Sequence, residues 1–194
     1  MEDGRASVEA RLFALQAVVV AQPKRSRWRR YVGPVLAVST VEGTPLAHVT
    51  ETDDTHHLLT AASGEFLLHI EQFGPAEFRF DDASGREVGT VSTGRFVKTA
   101  QLLLRTEGGR SLFLTRRGQL SIEWQLTETD PYSGPAPEVL GRVTVSTIDM
   151  WIGLQQYVVE TGPGLDGSER RTVVAAVVCL HLLRRPPGGG GATV

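Results

Sequence analysis

Only one cysteine, Cys179, occurs in the 194 residues of the chain. A single thiol excludes an intrachain disulfide, and its place inside an apolar run makes it an inert core group rather than a nucleophile. A chain without disulfides suits a reducing compartment. No G-x-S-x-G elbow and no G-x-x-x-x-G-K-[ST] phosphate loop is present, and nothing reads as a dinucleotide fingerprint. Ligand spacings such as H-x3-H or C-x2-C are absent too, so no metal and no cofactor is expected. The longest apolar run, 172–183, falls short of the roughly 20 residues that span a bilayer. The N-terminus begins acidic, without a basic-then-apolar leader pattern. Neither sign of charge dominates: 20 Lys and Arg stand against 22 Asp and Glu, a formal net charge of −2. Attraction to an anionic partner must therefore come from a local patch. These absences lead to the expectation of a non-catalytic cytoplasmic protein with no transmembrane span.

What the chain does hold is a single domain's worth of ordinary globular text, 41% hydrophobic and 22% charged. That length buries roughly 70% of the unfolded surface. Residues 1–10 are expected to be a flexible N-terminus, 11–185 one domain, and 186–194 a disordered Pro/Gly tail.

The most constraining stretch is TVVAAVVCLHLL at 172–183, bounded by Ser168 and Glu169 before it and by Arg184, Arg185 and Pro186 after it. Those flanks suit a helix, with Ser168 as N-cap, Glu169 at the positive end of the dipole and arginines at the negative end. The β-branched residues also permit a buried strand. Read as a helix, it has no wet face, so Val173, Val174, Val177, Val178, Leu180 and His181 belong to a core helix enclosed on all sides. His181 then needs a hydrogen-bond partner for its ring.

Between 31 and 159 the text is short apolar stretches divided by turn residues. Hairpins are expected at 35–41 with 45–50, at 65–72 with 76–80, and at 101–105 with 111–115, with further strands at 87–92, 120–126, 140–146 and 151–160. The lead at 11–22 reads as a strand after a loose or helical start. Three of these stretches share an apolar–small–polar–Val pattern: Leu46-Ala47-His48-Val49, Val88-Gly89-Thr90-Val91 and Leu140-Gly141-Arg142-Val143. Many short strands suggest a sandwich or a barrel. A sandwich offers a helix one face, whereas a closed sheet surrounds it. The fold class expected is mainly β, a closed antiparallel barrel around a hydrophobic C-terminal helix.

The hairpin at 80–91 (FDDASGREVGTV), the later Leu140-Gly141-Arg142-Val143, the Trp151-Ile152-Gly153 bend and the terminal apolar helix follow one another as in a known group. In that order the chain resembles the tubby C-terminal-like superfamily, which includes phospholipid scramblase-like and LURP-one-related proteins. The resemblance implies twelve strands with the helix threaded through the centre. The acidic calcium-binding segment that scramblases place before the last helix has no counterpart at 160–167, and there is no cysteine cluster for acylation. What the resemblance implies for function is the holding of anionic, phosphoinositide-like headgroups on a cationic surface.

One run matches that in kind. Lys24, Arg25, Arg27, Arg29 and Arg30 surround Trp28. Close-set cations raise a local potential despite the negative total, and an interfacial Trp can enter headgroups. The same residues suit an acidic protein partner or a phosphate backbone with Trp28 stacked on a base. They also suit a merely solubilising loop, in which case the domain would act through protein–protein contact. Asp53-Asp54-Thr55-His56-His57, the one carboxylate–histidine cluster, reads as a polar loop, since adjacent histidines point apart on a strand.

Overall fold

The structure, a computed structural model, describes residues 12–23, 35–93, 100–118, 121–149 and 154–184, with the backbone alone at 148 and 149. The expectations for 1–10, for 24–30 and for 186–194 lie outside the described residues. Twelve strands form: β1 Ala17–Ala21, β2 Leu36–Ser39, β3 Pro45–Glu51, β4 His56–Ala61, β5 Phe66–Gly74, β6 Glu77–Asp81, β7 Glu87–Thr93, β8 Gln101–Thr106, β9 Ser111–Arg116, β10 Glu123–Thr127, β11 Val139–Asp149 and β12 Leu154–Thr161. A helical turn at 12–14 precedes β1, and one long helix, α1, covers Gly167–Arg184. Each strand is antiparallel to the next, and β12 returns to pair with β1 through Val18 and Val159, so the sheet closes on itself.

Period-two burial produces the barrel wall. Val18 and Val20, Leu36 and Val38, Leu59 and Ala61, Phe78 and Phe80, Leu112 and Leu114, and Tyr157 and Val159 are all buried, and the residue between the two of each pair is only half-buried or exposed. An eight-stranded barrel is filled by its own side chains, and one of sixteen or more holds water. Twelve strands lie between these limits, and α1 fills the space. Every residue from Thr172 to His181 on α1 is buried. Fully burying a Val or Leu side chain is worth about 1.5–3 kcal/mol, so Val173, Val174, Val177, Val178 and Leu180 contribute on the order of 10 kcal/mol before entropy is subtracted.

The three short repeats acquire a meaning here. They fall on β3, β7 and β11, every fourth strand, and in each the small residue and the following Val face the interior: Ala47 with Val49, Gly89 with Val91, Gly141 with Val143. The small residue stands beside a larger one across the ladder. Ala47 pairs with Val38, Gly89 with Phe80 and Gly141 with Leu126. A Cβ at Gly141 would lie 2.6 Å from the Glu160 carbonyl oxygen, and one at Gly89 would lie 2.8 Å from the Arg105 carbonyl oxygen and 3.1 Å from Thr172 Oγ1 of the helix. α1 packs most heavily against β8 and β7.

Three local readings need correction. The helix is capped by Asp166 rather than Ser168: Asp166 Oδ1 accepts the Glu169 N–H at 2.9 Å, and Glu169 Oε2 accepts the Asp166 N–H at 3.0 Å. This reciprocal pair is a capping box two positions earlier than expected, and Ser168 Oγ merely donates to Asp166. His56 and His57 are not loop residues but open β4, a strand that the polar run 53–57 concealed. The strand expected at 120–126 starts at Glu123, because Ser121 is held in a turn by its N–H to the Gly118 carbonyl and by Arg116 Nε on its own carbonyl at 2.7 Å.

Each end of α1 is anchored differently. At the N-terminal end Arg110 Nη1 meets Glu169 at 3.1 Å while its Nε and Nη2 hold Glu128 at 2.9 Å, and Arg171 meets Glu107 at 2.6 Å. Near the C-terminal end the ring of His181 finds the partner it needs, Tyr157 Oη at 3.2 Å from Nδ1, with the two rings edge to face. Burial pushes the Tyr157 phenol up to about 12 against the opposing pull of the Arg184 guanidinium.

Three outcomes are expected. Val177→Asp buries an unpaired carboxylate and abolishes soluble folding, checked by expression and circular dichroism; a variant that melts like the parent would mean that the helix is not internal. Gly89→Ala pushes β7 away from α1 and costs roughly 1–3 kcal/mol, a drop of roughly 3–10 °C in Tm. The folded phenol of Tyr157 titrates higher than the unfolded one, so its contribution is intact below about pH 10 and falls by about 2–3 kcal/mol as pH rises to about 12. Buried Cys179, also pushed up, adds to the alkaline loss in both proteins, so the comparison of urea unfolding for wild type and Tyr157→Phe across that window isolates the phenol.

Candidate functional site

Strand direction sorts the loops. The turns β2–β3, β4–β5, β6–β7, β8–β9 and β10–β11 lie at the end where α1 enters, and the connections β1–β2, β3–β4, β5–β6, β7–β8, β9–β10 and β11–β12 lie at the end where it leaves. The entry end is sealed by paired charge. Besides the ion pairs of Arg110 and Arg171, Arg86 joins Glu107 at 2.9 Å and Asp82 at 3.1 Å. Asp82, bonded by Ser84 and by the Arg86 backbone, is held well below the usual carboxylate range.

This end also carries a spacing that runs against the expectation of no dinucleotide fingerprint. Gly162, Gly164 and Gly167 stand at G-x-G-x-x-G between β12 and α1. The surroundings deny it a phosphate. A phosphate needs the free N–H groups of a helix N-terminus, and here the Asp166 carboxylate takes the Glu169 N–H while Glu169 itself adds a second negative group. Asp166 is accordingly held low by that backbone N–H and by Ser168. Gly162 has a packing reason, since a Cβ would lie 2.9 Å from the Leu140 carbonyl oxygen.

At the exit end the charges divide. On the β4–β6 side acids prevail: Glu51, Asp53, Asp54 and Glu77 are exposed there, with Asp53 Oδ1 at 2.8 Å from His56 Nδ1 and Arg79 bonded to Glu71. The Thr55 backbone N–H and the His56 ring hold Asp53 well below the ordinary range. His56 and His69 stack at 5.2 Å on the outer face, while His57 points inward and is buried. Among the described residues no group of three His, Cys, Asp or Glu is arranged to hold a metal.

On the β9–β12 side the balance is cationic. A recess of about 330 Å³ opens beside the end of α1, lined by Arg116, Ser121, Ile122, Trp124, Val145, Ser146, Thr147, Gln155 and Arg184. Two large apolar side chains stand in solvent at this end, Phe73 (58% exposed) and Ile122 (61%). The chain reaches residues 24–30 from this rim. Gln22 donates its N–H to the Gln155 carbonyl at 3.0 Å and accepts the Gln155 N–H on Oε1 at 2.8 Å, and Gln155 lines the recess. Lys24, Arg25, Arg27, Trp28, Arg29 and Arg30 themselves lie outside the described residues. Of the other singled-out residues, Val173, Val174, Val177, Val178, Leu180 and His181 are all buried along α1. The recess was not legible in the sequence, because its lining comes from β9, β10, β11, β12 and the helix end, spaced over nearly 70 residues (116 to 184).

No helix in the described residues is long and apolar enough to cross a membrane. No protein-family model and no curated protein matches the chain. A solved structure does: an X-ray structure of an Arabidopsis thaliana protein, AT5G01750, superposes with a TM-score of 0.55 at 13% sequence identity, covering 87% of this chain and 92% of that one. At that identity the likeness is one of fold alone and carries no function with it.

Proposed function

We propose that the chain is a non-catalytic binding module that engages an anionic phospholipid surface, phosphoinositide-like in charge density, through Lys24, Arg25, Arg27, Arg29 and Arg30 with Trp28 among them. The observation that carries this reading is the position of Gln22, which ties the start of that run to the rim holding Arg116 and Arg184. Phe73 and Ile122 stand on the same end of the barrel as that rim. A flat, negative surface meets this end in a way that a single phosphate would not. Each cation near an acidic membrane surface is worth about 1 kcal/mol, so the set is sufficient for reversible, salt-sensitive attachment without a lipid anchor. The cytoplasmic leaflet is the anionic one, so the proposed place of the module is that face of the membrane. An acidic protein surface is the alternative partner, and nucleic acid a minor one.

Co-sedimentation with vesicles tests the reading. The full chain should bind vesicles containing phosphatidylinositol phosphates more tightly than neutral ones, and lose binding as salt rises from about 0.05 to 0.3 M, where the screening length falls below about 10 Å. Arg27→Glu/Arg29→Glu/Arg30→Glu should weaken binding by roughly 100-fold or more. Equal binding by that variant and the parent removes the proposal, and an affinity capture of protein partners unchanged by the same reversals favours a protein–protein role.

A further inference from the structure

The recess beside the helix end combines features that solvation of a barrel rim does not need. Its wall is partly apolar, with Ile122 at the lip and Trp124 and Val145 deeper, nearly all of their surface buried. Its polar members are the hydroxyls of Ser121, Ser146 and Thr147 and the Gln155 amide, together with two guanidiniums. Those guanidiniums have no carboxylate partner among the described residues. Arg116 spends its Nε on the Ser121 carbonyl, and Arg184 lies close enough to Tyr157 to act on the phenol. The acid at the start of β10, Glu123, is shared instead by Arg117 and Arg142, at 3.8 Å each. At the entry end Arg86, Arg110 and Arg171 each meet a carboxylate and Arg170 is held by the Ala14 and Gly162 carbonyl oxygens, whereas Arg116 and Arg184 stand together beside an apolar floor with no carboxylate among the described residues to neutralise them.

We infer that this recess is a binding site for a small amphipathic anion, its head met by Arg116 and Arg184 and its apolar body resting on Ile122, Trp124 and Val145. The volume limits the ligand. At about 30 Å³ for each water-sized heavy atom, 330 Å³ holds roughly eleven. That corresponds to a medium-chain carboxylate or to the first part of one lipid chain below its headgroup. Both share one chemistry, a compact negative head on a short apolar body, and charge-assisted hydrogen bonds from two guanidiniums select it over the neutral alcohol. The site stands without the membrane reading, since a free amphiphile needs no bilayer.

Titration calorimetry on the full chain with octanoate, octanol and acetate tests it. Octanoate should bind saturably at one site, with octanol and acetate at least about tenfold weaker. Arg184→Glu should cost about tenfold or more, and Ser146→Trp, at an exposed lining position, should block the recess while thermal melting stays that of the parent. Arg117→Glu makes the same charge change off the lining and should retain octanoate affinity within about twofold. Phosphatidylglycerol vesicles separate the two ligand sources. If Ser146→Trp loses octanoate but keeps vesicles, the recess takes free amphiphiles, and if it loses both, the recess takes a chain from the bilayer. Absence of saturable octanoate binding, equal affinity for octanol, or octanoate binding unchanged in both Arg184→Glu and Ser146→Trp would overturn the inference. None of these results depends on the reversals at Arg27, Arg29 and Arg30.

Discussion

A helix with no water-facing side must be walled in completely, and that single constraint organises this protein. From Thr172 to His181 α1 presents apolar atoms in every direction, and an open sheet would cover only half of them. Closure of twelve antiparallel strands covers all of them and also removes the unpaired edges that an open sheet exposes. The dependence is mutual, because a barrel of that circumference would otherwise enclose a void that its own side chains cannot fill. The gross burial on five helix side chains is comparable to the entire net stability of a typical domain, so neither partner is expected to persist without the other.

The fit is made by small residues as much as by large ones. Ala47, Gly89 and Gly141 recur on every fourth strand and stand opposite Val38, Phe80 and Leu126, so bulk on one strand is met by space on the next. Gly89 goes further and admits the helix itself, since Thr172 occupies the position beside it. A pattern that in one dimension looks like generic hairpin text is, around the ring, a set of clearances for what passes through the middle.

The two ends of the barrel use charge differently for a chemical reason. Where α1 enters, its free N–H groups and its first-turn carboxylates must be satisfied in a half-buried setting, and Arg110, Arg171, Glu107 and Glu128 close around them. Where α1 leaves, its last residue Arg184 is exposed, and the cation stays available. The charges at the entry end are already consumed by structure. The G-x-G-x-x-G spacing at the entry end illustrates this: the glycines have the right intervals, but Asp166 and Glu169 occupy the place where a phosphate would bind.

Much of the architecture was legible in the amino-acid order, since it rests on local and periodic signals. The uniform apolarity of 172–183, the arginines that follow it and the turn residues between short alternating stretches were enough for a closed sheet around a helix, and His181 was legible as a buried ring in need of a partner. Signals that compete locally were read less well. The polar run 53–57 hid the start of β4, because His57 faces the core while its neighbours face water, and Asp166 displaced Ser168 as cap, because a capping box is decided by which carboxylate reaches which N–H. Only the tertiary structure decided that β9, β10, β11, β12 and the helix end meet around one recess, and that Gln22 ties the approach to the basic run to the same rim. Proximity between residues far apart in the chain depends on strand register and closure, and neither leaves a mark on the composition of any one segment.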